Sequence, residues 1–172
     1  TFGSIYEQIL KDLQSAGNAG EFYTPRAVTR FIVDRIDPQL HETVLDPACG
    51  TGGFLSCTID HKRERYVKTE QDEHSLQASI RGVEKKALPH MLCVTNMILH
   101  GIDTPTIIRH DNTLSRPYKD YGNADRVEVI ITNPPFGGME EDGIENNFPA
   151  NLRTRETADL FMALIIKLLK DK

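Results

Sequence analysis

Thr43-Val44-Leu45-Asp46-Pro47-Ala48-Cys49-Gly50-Thr51-Gly52-Gly53-Phe54-Leu55 is the most informative run in the chain. A short apolar stretch breaks into a turn rich in glycine, after which a helix can start. Strand, glycine-rich turn and helix make the first half of a βαβ unit. Reading downstream, residues 79–83 form a second strand candidate that stops at Glu84, and residues 87–99 read as a helix. That helix places Met91, Val94, Thr95 and Ile98 on one face, tolerates Pro89 only in its first turn, and is ended by Gly101. Residues 106–111 are a third strand candidate. Residues 127–132 are the fourth, halting at Asn133-Pro134-Pro135-Phe136-Gly137-Gly138 before a polar loop and an apolar helix over 159–169. Reading upstream, Thr24 fits a helix cap with Pro25 at the first helical position, and Val28, Phe31, Ile32 and Ile36 continue at helical spacing to Asp37-Pro38. Ile5, Ile9 and Leu13, widened by Tyr6 and Leu10, predict an amphipathic helix over 4–16, followed by the loop Gly17-Asn18-Ala19-Gly20. The charged, weakly periodic stretch 61–79 reads as a solvated helix end and a long surface connection.

Strands alternating with helices predict an α/β fold with a mostly parallel sheet, whose ligands sit beyond the carboxyl ends of the strands. Four stops fall there: residues 46–53, Glu84, Asp111 and residues 133–136. The chain's 172 residues suit one domain, and its net charge of −5 is not the footprint of a protein that grips nucleic acid unaided. Cys49, Cys57 and Cys93 form no C-x-x-C pair, so they read as reduced thiols packed as small hydrophobes rather than as metal ligands or a disulfide framework. No apolar run approaches the roughly 20 residues that span a bilayer, and the expected compartment is the cytoplasm.

The glycine turn is informative in what it omits. Leu55 stands where the dinucleotide fingerprint needs its third glycine, and no G-K-[ST] follows, which disfavours a phosphate cradle and nicotinamide chemistry. The glycines still permit close approach by a ligand, and the helix N-terminus beyond them favours an anionic group. S-adenosylmethionine, with a carboxylate and an adenosine, suits such a site. Glu84, 34 residues beyond Gly50, can accept both hydroxyls of a ribose, although taken alone it reads as a solvated glutamate beside Lys85 and Lys86. Asn133 offers an amide oxygen and Pro134 a carbonyl, which together can accept both hydrogens of an exocyclic amine. Pro135 stiffens the loop, and Phe136 can stack on a planar base or serve as a core residue.

Residues 46–54 resemble the first motif of amino-group DNA methyltransferases, and Asn133-Pro134-Pro135-Phe136 resembles their catalytic motif. Glu21-Phe22-Tyr23-Thr24-Pro25-Arg26 narrows the likeness to the methylation (M) subunit of type I restriction-modification systems. The resemblance implies a Rossmann-like S-adenosylmethionine-dependent fold that methylates N6 of adenine in DNA. It assigns cofactor binding to Glu21, Phe22, Tyr23, Thr24, Pro25, Arg26, Asp46, Thr51, Gly52 and Gly53, with Glu84 at the ribose and Asp111 at the cofactor adenine. Asp111 departs from the family's pattern, with His110 in the glycine place and an inserted residue. Asn96 and His100-Gly101 are read as helix packing and capping. The implied partners are DNA, a specificity (S) subunit, a second M subunit and a restriction (R) subunit, with no membrane and no metal. The same loop chemistry serves methylation of RNA adenine or protein glutamine, and a non-catalytic, cofactor-binding assembly subunit is the alternative of a different class. The family's seven strands exceed the four counted here. Residues 1–19 are therefore expected to be a leading helix and loop, and residues 20–172 the cofactor-binding core of a longer catalytic domain, inactive alone and with the strand at 127–131 as a bare sheet edge.

Overall fold

The computed structural model describes Gln8 and residues 24–171. The helix expected over 4–16, apart from Gln8, which is helical, lies outside the described residues, as do Glu21, Phe22 and Tyr23. Four parallel strands form one sheet in the order β3-β2-β1-β4: β1 (Val44–Asp46), β2 (Ile80–Glu84), β3 (Ile108–His110) and β4 (Val129–Ile130). Val44 stands opposite Ile80 on one side and Val129 on the other, so β1 is central and all three of its residues are buried. Such a strand reads as continuously apolar because both of its faces are covered.

One face carries α1 (Arg26–Ile36), α2 (Gly53–Arg65), α3 (Glu70–Ala78) and α4 (Ala87–Leu99). They enclose Leu55, Ile59, Leu76, Ile80, Met97 and Ile108, with Val33, Val44, Phe54 and Ile131 beside them. The other face is covered by α5 (Thr157–Leu168), whose Leu160, Leu164 and Leu168 pack on Leu45, Val83 and Val127. Each fully buried leucine of this kind contributes about 1.5–3 kcal/mol. Between β3 and β4 the chain makes three single 3-10 turns and no α-helix.

Several expectations are corrected. The stretch 61–79 is not a solvated connection. Its first residues, His61 and Lys62, are buried: His61 bridges Asp34 and Asp37 at 3.0 and 2.8 Å, and the Lys62 ammonium donates to the Glu42 carbonyl and the Ser79 hydroxyl. Burial lowers the Lys62 pKa to about 8, against the pull of Glu42 and Glu128. Then α3 begins at a capping box in which Thr69 and Asp72 each accept from the other's backbone amide. On α4 the inner face is Cys93, Asn96 and Met97, while Met91 and Ile98 point outward at 57% and 56% exposure. On α1 it is Thr29 and Val33 that are buried, and Val28, Phe31 and Ile36 are exposed. Pro25, not Thr24, caps α1, its carbonyl accepting from Val28 and Thr29. The edge of β4 is not wholly bare: Leu169 pairs in parallel with Val127, whose amide and carbonyl bond Leu168 and Lys170.

Candidate active site

All the loops of interest leave the carboxyl ends of the strands. After β1, the Cys49 amide donates to Val83 O at 3.0 Å and the Gly50 amide to a Glu84 carboxylate oxygen at 2.9 Å, binding the glycine turn to β2. Gly52 has φ +84°, and a Cβ there would come within 2.7 Å of Cys93 Sγ, so a glycine is what lets α4 pack closely on this turn. Asn96, buried on α4, donates to Thr51 O at 3.1 Å, which is the packing role its sequence context suggested. Gly50 and Gly53 face open space. The turn is thus held from behind and open in front.

Asp46 ends β1 almost wholly buried. Burial pushes its carboxyl up to about 7, with the Glu84 carboxylate adding to the rise and the Ala48 amide, which donates to it at 3.2 Å, opposing it. Thr132 Oγ1 is buried without a hydrogen-bond partner of its own. Glu84 spends one oxygen on Gly50 and the other on the Lys86 amide at 2.7 Å, so it bridges two loops at the mouth of the turn. Asp111 follows β3 with its amide on Glu84 O at 3.0 Å and its side chain exposed. Thr113, two residues on, is buried and donates to Pro47 O at 2.6 Å, which draws the loop after β3 onto the turn after β1.

The fourth loop brings the far ends of the sequence together. Asn133 Nδ2 donates to Thr24 Oγ1 at 3.2 Å across 109 residues. The Arg26 guanidinium pairs with Asp60 of α2 at 3.2 Å. Pro134 is half-buried, Pro135 is exposed, and Phe136 is 60% exposed, which excludes the core reading of that ring. One participant escaped the sequence reading. Glu140, on the segment after the Asn133 loop, approaches Lys85 and Asn112, the neighbours of Glu84 and Asp111, at 3.3 Å each, and accepts from Thr157. Its polar loop carries no periodic signal that would have marked it.

The residues present fit S-adenosylmethionine: open backbone at Gly50 and Gly53, a carboxylate at Glu84 bonded to the Gly50 amide, and an exposed acid at Asp111 all lie at the carboxyl ends of neighbouring strands. The sheet order and its loops define a Rossmann-like α/β fold, shared at TM-score 0.68 and 20% identity with a solved class I S-adenosylmethionine-dependent methyltransferase from Listeria monocytogenes. More particularly, the chain belongs to the N-6 DNA Methylase family, whose profile matches residues 1–172. It is 68% identical over 171 residues to the type I restriction enzyme EcoEI methylase subunit of Escherichia coli, covering 99% of this chain and 34% of that protein. A crystallised modification subunit from Vibrio vulnificus YJ016 matches at TM-score 0.86 and 51% identity, over 97% of this chain and 34% of the other. A chain solved in work on assembly and conformational transition of the type I R-M system matches at TM-score 0.89 and 41% identity, over all of this chain and 34% of its own. The sequence thus spans about a third of the length of these relatives.

Proposed function

We propose that this chain is the cofactor-binding core and target-base loop of an adenine-specific DNA methyltransferase, the modification subunit of a type I restriction-modification system. The observation that carries this reading is the meeting of Asn133 with Thr24 beside the open glycine turn, with Phe136 exposed. When bound, S-adenosylmethionine supplies a methyl group already activated by its sulfonium. Thr51, Gly52, Gly53 and Asp46, with residues 21–26, would hold its methionine end, Glu84 its ribose and Asp111 its adenine. Asn133 Oδ1 and Pro134 O accept the two hydrogens of the target amine, drawing its nitrogen toward tetrahedral geometry and localising its lone pair for in-line attack. No tuned general base is required while the amine attacks, and its surplus proton leaves to water after transfer. The target base must leave the duplex to reach this loop, and stacking on Phe136 offsets part of the few kcal/mol this costs.

DNA, a specificity subunit, a second modification subunit and, where present, a restriction subunit are the proposed partners, in the cytoplasm. Among the described residues no helix is long and apolar enough to cross a membrane. Residues 20–172 are read as part of a longer catalytic domain that is inactive by itself. The test is radiolabelled methyl transfer to DNA by the full-length subunit with its specificity partner. Label is expected in adenine N6, and Asn133→Ala should abolish it while calorimetry still detects cofactor binding. Retained transfer in that variant would overturn the assignment. Label in RNA or in protein glutamine, or cofactor binding with no transfer in any combination, would replace the reading. Methylation by the 172-residue chain alone would refute its inactivity.

A further inference from the structure

The two faces of the sheet are covered unequally. On the α5 side, Leu45, Val83 and Val127 are packed by the helix, but between β3 and β4 the chain runs only in single 3-10 turns. Alternation along the strands decides what the rest of that face presents. Ile80 and Ile108 belong to the core beneath α2 and α4, and a Cβ at Gly82 would meet Leu55 there. Arg81 and Arg109 alternate with these residues and so point the other way, to the face of Val83. Val83 stands opposite Arg109 in the register, so the two arginines are offset by two residues on adjacent strands, with Cα atoms about 8 Å apart. Side chains as long as arginine can converge on one group from that spacing.

Both arginines line a cavity of about 300 Å³, which is the size of a small-molecule site. Its apolar lining includes Leu45, Val83, Val127 and Leu168, and its charged lining is three arginines against one aspartate. Arg116 and Asp125 spend their charges on each other, at 2.8 and 3.2 Å. The Arg81 and Arg109 side chains have no hydrogen bond or ion pair with any described residue. The cavity therefore holds a surplus of two positive charges in a chain whose net charge is −5. Among the described residues its lining takes none from the glycine turn or the Asn133 loop, so it is separate from the candidate active site.

We infer that this cavity is a second ligand site, for a small phosphate monoester with an apolar or aromatic body. Above its second pKa of about 6 such an ester carries two negative charges on one compact group, which matches the surplus, and guanidinium forks bind phosphate oxygens in pairs. The apolar lining takes the body of the molecule. A volume of this size holds one small molecule rather than a helix or strand of a partner.

Calorimetric titration of the full-length subunit with phenyl phosphate tests this, at about pH 8, where the ester is a dianion, and with S-adenosylmethionine bound so that its own site is filled. Saturable one-to-one binding is expected, about tenfold or more tighter than that of inorganic phosphate or succinate, because the ring adds apolar burial and the charges sit on one group. Arg81→Gln and Arg109→Gln remove the charge but keep most of each stem, and each should weaken binding by about tenfold. Both side chains are exposed, so the variants should keep the parent's urea midpoint and S-adenosylmethionine affinity. Absence of binding to the full-length subunit overturns the inference, as does binding undiminished in the double variant. Inorganic phosphate or succinate binding as tightly as phenyl phosphate overturns it too. If the variants lose S-adenosylmethionine affinity to the same degree, the cavity belongs to the cofactor site and is not a second one.

Discussion

The turn at residues 46–53 and the loop at residues 133–138 leave neighbouring strands at the same end of the sheet, yet they are built in opposite ways. The first is packed from behind by Cys93, Asn96 and Met97 and stitched to β2 through Glu84. The second is exposed at Asn133, Pro135 and Phe136, its polar side chain tied by a single bond to Thr24. On the proposed reading, a cofactor turn that must hold its ligand in one pose is made rigid beforehand, whereas a loop for a base that swings in from a duplex must stay open. Stability should therefore be lodged in the first region and turnover in the second.

The sharpest way to break that contrast is Gly52→Ala. A Cβ at φ +84° within 2.7 Å of Cys93 Sγ should cost about 4 kcal/mol, from backbone strain and overpacking together. Urea unfolding measures this, and a loss below about 1 kcal/mol would mean the turn is not packed as described. Next comes Asp46. In the fold its carboxyl keeps a proton to about pH 7, against an ordinary value of 3.8, so the native state binds the extra proton between these limits. Stability should fall as pH rises through that window and level off above it. Asp46→Asn should flatten the slope and raise stability at pH 8 by about 3 kcal/mol, its new NH2 finding the unpartnered Thr132 hydroxyl. Glu84→Ala should weaken S-adenosylmethionine by about tenfold in calorimetry, since it removes a charged acceptor and loosens Gly50. Smallest in stability is Phe136→Ala, which should leave urea unfolding within about 0.5 kcal/mol of the parent while slowing DNA methylation. If instead it destabilises the chain, the open-loop half of the comparison is wrong.

Periodicity located each described strand and the limits of α4 to the residue, because short apolar runs such as Val44-Leu45 and Val129-Ile130 stand out between polar stops and Gly101 closes α4 with a left-handed turn. It failed on faces. Cys93 and Asn96, which face inward, read as packing residues on other grounds, but periodicity offers no way to know that Thr29 faces inward while Phe31 and Met91 face out. Helix α3 was missed because its signal is a capping box and a single fully buried apolar side chain, Leu76, rather than a stripe. At the site, the motifs marked Asn133, Glu84 and the glycines. The bond between Thr24 and Asn133, and the bridging position of Glu140, are products of tertiary packing across long separations, and no local pattern encodes them.

The central place of β1 also bears on synthesis. The Thr43 and Leu45 carbonyls accept from the Val129 and Ile131 amides, so one side of β1 stays unpaired until residues 129–131 have been translated. At roughly 5–20 residues per second that interval is on the order of 5–15 s. During it β2 and β3 can already be in place, leaving the strand with an open, apolar edge of the kind that recruits other chains. The ribosome-bound half-sheet is thus a stage at which this protein is exposed to misassembly, and the loop proposed to receive the target base arrives only as that exposure ends.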